Sequence, residues 1–245
     1  MTQSDRFAAR FAVLAQKKEG AFVPFVNLCD PTPEISSQIL EALAAGGADA
    51  LELGIPFSDP CADGPVIEAS AQRALAAGST TAKCLGIIKA FRAKHPDIPV
   101  SLMLYVNLVT APGVENFFAA AKDAGVDAVL IPDVPISMRE AEPEWDAAAK
   151  AHGIHLIAIA PPNGTPDLYK EVAQRSTGYV YSSPARALPV RIKLPGVPVK
   201  PKSLHFALPA RRHCFWGLAY RVLNMSVLRL KLAQTAPLPD LPLLR

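Results

Sequence analysis

To about residue 181, apolar positions alternate between a helical period and runs of strand length. Phe7, Phe11 and Leu14 fall on one face of a helix predicted over residues 4–18, which ends at Lys17-Lys18-Glu19-Gly20. The run A-F-V-P-F-V-N-L over 21–28 reads as a buried strand, and Pro24 marks a place where the ladder needs no donor. Thr32-Pro33-Glu34 opens a second helix, with Thr32 as its cap and Pro33 in its first turn. Ile35, Ile39, Leu40 and Leu43 form its predicted apolar stripe, and Gly46-Gly47 stop it. Strands are expected over 49–55, 99–107, 127–132 and 155–160, and a sixth begins at 178–181. Helical patterns lie near 65–77, 81–95 and 114–125. Ser137-Met138-Arg139-Glu140 has the form of a capping box, predicting a helix to about His152. Thr165-Pro166-Asp167 repeats the Thr-Pro-acid helix start.

Strand and helix in turn argue for a parallel sheet. Residues 45–53, A-G-G-A-D-A-L-E-L, resemble 124–131, A-G-V-D-A-V-L-I; each is a helix end turning into a strand. The offset from Asp49 to Asp127 is 78 residues, room for two βα units of about 40 residues. Unusual polar residues gather at the strand ends: Asn27, Asp30, Glu52, Tyr105, Asn107 and Asp133. The C-terminal strand ends of a (β/α)₈ barrel are its active face, and such a barrel needs about 250 residues. A doubly wound open sheet is the alternative, but no G-x-G-x-x-G follows the first strand.

Composition narrows the class. No apolar run reaches the length of a membrane span, and Met1 to Arg6 does not read as a signal peptide, so a cytoplasmic location is expected. Cys29, Cys61, Cys84 and Cys214 form no C-x-x-C pair and read as free thiols. The five histidines have no metal-site spacing, and no metal is expected. Charge divides the chain. Residues 1–181 hold 14 basic and 21 acidic residues, whereas 182–245 hold 11 basic residues and one acid, Asp240.

The richest chemistry lies over 50–65, A-L-E-L-G-I-P-F-S-D-P-C-A-D-G-P. Glu52 sits inside an apolar strand, where a carboxylate is costly unless it is paired, protonated or used. Asp59 and Asp63 follow on a proline-stiffened loop. A buried acid on a strand with a second acid on the next loop suits general acid/base work. Equally, it suits a solvated loop acid beside a Glu bonded to backbone, and both readings stand on chemistry alone.

The segments E-G-A-F-V-P-F-V (19–26), A-D-A-L-E-L-G-I-P-F-S-D-P-C-A-D-G-P (48–65), Y-V-N-L-V (105–109), G-V-D-A-V-L-I-P-D-V-P (125–135) and P-P-N (161–163) together resemble the α chain of tryptophan synthase. The resemblance runs from about residue 6 to Tyr181. It implies a (β/α)₈ barrel, incomplete here with about six of eight βα units, that cleaves indole-3-glycerol phosphate to indole and glyceraldehyde 3-phosphate. It implies a partner β chain in an α2β2 assembly. The pyridoxal phosphate belongs to that partner, so no cofactor is expected in this chain. The family's catalytic acids fall on Glu52 and Asp63. Phe25, Tyr105 and Tyr181 fall where the family lines its indole pocket. Pro56, Asp59 and Pro60 fall where it meets the β chain. Asp133 and Pro135 receive no chemical role. Where the family has Thr-Leu-Gly-Asp-Pro, this chain has Asn27-Leu28-Cys29-Asp30-Pro31. A positive φ at that Gly would cost Cys29 about 1–2 kcal/mol.

After Tyr181 the resemblance stops, and 182–245 reads as a separate basic, proline-rich tail. Its composition fits a shifted reading frame. From the third base of codon 181, permitted codons allow L-L-S-R-A-G-V-T-G, and those of 213–230 allow a stretch containing G-F-G-I. Both stand where the family expects them, as a one-base deletion near codons 181–182 would leave them. On this reading the phosphate-binding turns are lost, and the chain is expected to have little or no lyase activity. An inactive remnant that docks on the β chain is the alternative. A tail that binds an acidic partner is a further one, and nucleic-acid binding rests on charge alone, with no recognisable module and none expected.

Overall fold

The computed structural model describes residues 5–161 and 163–182. Its elements are α1 (Arg6–Lys17), β1 (Phe25–Asn27), α2 (Pro33–Ala45), β2 (Leu51–Gly54), α3 (Pro65–Ala76), α4 (Thr81–Lys94), β3 (Val100–Met103) and α5 (Asn107–Thr110). They continue as α6 (Val114–Ala124), β4 (Ala128–Leu130), α7 (Ile136–Ala141), α8 (Glu144–Ala151), β5 (His155–Ala160), α9 (Pro166–Arg175) and β6 (Val180–Ser182). The six strands pair in parallel in strict chain order, as the alternation predicts. The sheet curls: the Tyr179 hydroxyl, at the mouth of β6, donates to Ser101 Oγ on β3 at 2.9 Å. This is the wall of a (β/α) barrel, with six of its strands in place.

Each strand sends alternate residues to opposite faces. Leu51, Leu53, Leu102, Leu104, Val129 and Ile131 pack outward beneath the helices. Ala50, Met103, Leu130, Ile157 and Tyr179 pack inward. The inner layer is closed from below by Phe7, Phe11 and Leu14 of α1. A 12-residue helix is marginal alone in water, so it depends on these side chains, each contributing roughly 2 kcal/mol. Its first turn is capped by Asp5, which accepts from Ala8 N–H at 2.9 Å.

Charge then fixes α1 in rotation. Arg6 pairs with Asp127 at 2.6 Å and Arg10 with Asp49 at 2.7 Å. Asp49 and Asp127 are the matching positions of the internal similarity, so one helix reads both halves of the repeat. Arg92 of α4 also reaches Asp127, at 2.7 Å, and the same carboxylate accepts from Val100 N–H. Asp49 accepts from Phe22 N–H at 2.7 Å. Both aspartates are buried, and their second oxygens are taken by backbone, which offsets the desolvation of the charge.

Thr32 and Thr165 cap α2 and α9 as predicted, with Pro33 and Pro166 in the first turns. Four expectations are corrected. Ile35 is 42% exposed, and its neighbour Ser36 is buried instead, because its hydroxyl accepts the Cys29 N–H at 3.0 Å. Ser137 lies inside α7 and caps nothing; Pro135 precedes that helix. The single helix expected to His152 breaks at Glu142 (φ −122°, ψ 78°), since a residue before proline is pushed from helical backbone. The strand expected to Asn107 ends at Met103, and Asn107 opens α5. β6 takes in Ser182, one residue past the predicted strand. The rest of the predicted tail, with its shifted-frame segments and phosphate turns, lies outside the described residues. Among the described residues, no helix is long and apolar enough to cross a membrane.

Asp127→Asn leaves two mostly buried guanidinium groups short of a charge, with Arg6 and Arg92 only 15% and 12% exposed. The expected loss is about 3 kcal/mol of unfolding free energy in urea. Asp49→Asn should cost less, because its partner Arg10 is 40% exposed. Equal losses in the two variants would contradict this account of the clamp.

Candidate active site

β2 is buried on its outer side through Leu51 and Leu53 and turns Ala50, Glu52 and Gly54 toward the interior. Glu52 stands in register with Phe25 of β1 and Ser101 of β3, and its charge is felt by both Tyr179 and Tyr181. Burial pushes its carboxyl from the ordinary 4.5 up to about 7. A group so poised holds its proton for a useful fraction of the time at neutral pH. The two tyrosines feel burial first and the Glu52 charge second, and both hydroxyls are held neutral well above their usual range.

Gly54 is required by the same face. A Cβ there would lie 2.1 Å from Asn27 Oδ1 and 2.8 Å from the Phe25 ring. Its absence lets both β1 side chains enter the layer above Glu52, while Asn27 Nδ2 donates to the Ile67 carbonyl of α3 at 3.2 Å.

The loop 56–64 returns the chain to the strand ends. Tyr105, just past β3, is buried, and its hydroxyl accepts the Ala62 N–H at 3.0 Å while bonding to the Asp63 carboxylate. Phe57 packs tilted against the same ring, with centroids 5.2 Å apart. Burial raises the Asp63 pKa, Tyr105 opposes that rise, and Glu68 adds to it. Burial likewise lifts Tyr105 to about 12. Asp63 is thus a loop acid partly withdrawn from water. Tyr105 is therefore both a wall residue and the tether of the acid loop.

Phe25 and Tyr181 sit against the inner cluster, half-buried, in the same chamber as Glu52. Pro56 is buried beneath its own loop, so it offers a partner no surface; Asp59 is exposed and Pro60 partly so. Asp133 accepts the Val106 N–H at 3.0 Å and braces the β3 end against the β4 end, which fits its lack of a chemical assignment. Asp30 is held by Arg73 at 2.8 and 2.7 Å and by Ser70 at 2.6 Å, tying the β1 turn to α3. Cys29 has φ +64°, so the departure from Gly does place a side chain in left-handed backbone. Sequence reasoning missed Tyr179, Phe57 and Gly54. Tyr179 could have been found, because G-Y-V-Y places it on the same strand face as Tyr181. Among the described residues, no three His, Cys, Asp or Glu side chains gather to hold a metal.

The sequence model of the tryptophan synthase alpha chain family matches residues 11–186. The tryptophan synthase alpha chain of Photobacterium profundum is 54% identical over 177 residues, covering 72% of this chain and 65% of its own length. That of Shewanella oneidensis is 53% identical over 179 residues, covering 73% and 63%. Among solved structures, the tryptophan synthase subunit alpha of Legionella pneumophila superposes with a TM-score of 0.70 at 31% identity, covering 73% of this chain and 67% of that one. A chain of the Pyrococcus furiosus tryptophan synthase complex gives 0.62 at 38% identity, covering 66% of each. The chain thus spans about 65% of the length of the curated relatives it matches.

Because the Glu52 pKa is raised on folding, the native state binds a proton that the unfolded chain releases. Stability is fully present below about 4.5 and falls as pH rises toward about 7. Glu52→Gln should abolish this slope and leave the variant more stable above pH 7, by up to about 3 kcal/mol. Urea titrations of both proteins at pH 5 and pH 8 measure the difference. Gly54→Ala should instead destabilise at every pH by about 1–3 kcal/mol, through overpacking.

Proposed function

The chain belongs to the tryptophan synthase alpha chain family, and from that membership we propose that it carries the acid–base pair for aldol cleavage of indole-3-glycerol phosphate. The observation that carries the reading is Glu52, a desolvated acid at about 7 on the inner face of β2, with Asp63 on the loop that follows the same strand. Breaking the bond between the indole and the glycerol chain requires a proton at indole carbon 3. Glu52 is the group able to hold and deliver it near neutral pH. Protonation leaves positive charge on the ring nitrogen. Asp63, when ionised, accepts the N–H there and stabilises that charge. Tyr105 positions Asp63 through its hydroxyl, and Phe25 and Tyr181 supply apolar walls for the planar ring.

The substrate's phosphate calls for donors that the resemblance assigns to turns beyond Ser182. The 245-residue chain is therefore expected to release little or no indole. A gene corrected by one base near codon 181, so that the tail reads L-L-S-R-A-G-V-T-G, is expected to restore release. In that background Glu52→Gln should lower kcat by about 10²–10⁴, and the kcat of the unmutated protein should fall as pH rises through about 7. Near-normal turnover by the 245-residue chain would refute the account of the tail. Near-normal turnover by the Glu52→Gln variant would refute the assignment of the acid.

A second reading rests on the loop itself. A structural neighbour from Pyrococcus furiosus is a tryptophan synthase α2β2 complex described as mutually activating. Asp59 stands exposed on a loop whose base is tethered by Tyr105, which supports a β-chain docking surface that does not depend on lyase activity. Titrating the pyridoxal-phosphate-dependent activity of a β chain with the 245-residue chain tests this. Activation is expected, and loss of activation in Asp59→Lys marks the loop as the contact.

A further inference from the structure

Cys29 and Cys84 are 55 residues apart in sequence, yet their sulfurs lie 3.8 Å from each other. Both thiols are fully buried. Cys29 occupies the left-handed turn after β1, its N–H held by Ser36 Oγ at 3.0 Å. Cys84 lies in the first turn of α4, with the Ser79 hydroxyl 3.5 Å from its sulfur. Neither residue takes part in the acid–base chemistry above.

Their surroundings make the pair unequal. The Cys84 side chain, as hydrogen-bond partner, lowers the Cys29 pKa to about 6 against the effect of burial, with Ser79 and Lys83 adding to the lowering. The same hydrogen bond and burial push the Cys84 thiol up. Cys29 is thus the more acidic sulfur of the pair, and the N-terminal end of α4 adds positive potential beside it. A surface groove of about 660 Å³ runs between α2 and α4, lined by Thr32, Pro33 and Ser37 on one side and Lys83, Gly86 and Ile87 on the other. Ser37 adjoins Ser36 and Lys83 adjoins Cys84 in the chain, while both sulfurs themselves lie buried beneath the surface.

We propose that Cys29 and Cys84 form an oxidisable dithiol, a modification site that closes to a disulfide with a small hydroperoxide such as hydrogen peroxide. The Cys29 sulfur attacks one peroxide oxygen, the O–O bond breaks, and the departing hydroxide takes a proton and leaves as water. The resulting sulfenic acid is then attacked by the Cys84 sulfur. Its hydroxyl leaves with the Cys84 proton as a second water. Two thiols lose two protons and two electrons, and one peroxide becomes two waters. The sulfurs approach from 3.8 Å to about 2.05 Å. The resemblance implies Gly at position 29, so the pair is a property of this chain and not of the family pattern.

The test treats the native 245-residue chain with hydrogen peroxide, alkylates the remaining thiols in denaturant and maps the peptides by mass spectrometry. Expected is a peptide joining Cys29 to Cys84, lighter by two hydrogens and separated by dithiothreitol, with Cys61 still alkylated at low peroxide. Cys84→Ser should leave Cys29 as a sulfenic acid that dimedone traps, and Cys61→Ser should leave the cross-link unchanged. Alkylated Cys29 and Cys84 after Cys61 has been oxidised would overturn the proposal. So would a cross-link from Cys29 to Cys61 or Cys214, or one that forms only in denaturant. The map of the unmutated chain decides without any variant.

Discussion

The two-residue alternation of a parallel strand decides where this chain can do chemistry. Along β2, Leu51 and Leu53 are claimed by the outer helices, which leaves Ala50, Glu52 and Gly54 facing inward. Shifting the register by one residue would exchange a carboxylate for leucine in the chamber and bury the acid beneath α2 and α4. The outer leucines therefore fix the position of the acid as firmly as its own neighbours do. Burial on this inner face in turn raises the acid's proton affinity.

The two ends of the strands divide the work. At their starts, Asp49 and Asp127 are saturated by arginines and backbone amides and serve only to hold the structure. At their ends, Asn27 reaches α3 through the Ile67 carbonyl, and Tyr105 holds the 56–64 loop through the Ala62 N–H beside Asp63. This polarity is the ordinary one of a (β/α) barrel. Here it is sharpened by repetition, since the two clamped aspartates occupy equivalent places in two similar βα segments.

Much of the fold could be read from local signals. Thr-Pro-acid helix starts depend on a few adjacent residues, and their caps form as the spacing indicates. Glu52 was legible because a charge inside an apolar strand demands an explanation. Less legible was whatever depends on residues distant in sequence. Ser36 takes the buried place expected of Ile35 only because a turn seven residues earlier needs an acceptor for its amide. The break at Glu142 follows from Pro143, a local signal that the longer apolar pattern obscures. That Tyr105 tethers the acid loop is invisible without the curl of the sheet, since 43 residues separate it from Ala62.

The arginine clamp also has a consequence in time. Arg6 leaves the ribosome well before its partner, because Asp127 follows it by 121 positions. At roughly 5–20 residues per second, α1 waits about 6–24 seconds for that partner, with Phe7 and Phe11 uncovered. The helix that closes the underside of the sheet is thus made well before the strand whose aspartate completes its clamp. During that interval the pairing of Arg6 with Asp127 cannot hold the helix in place.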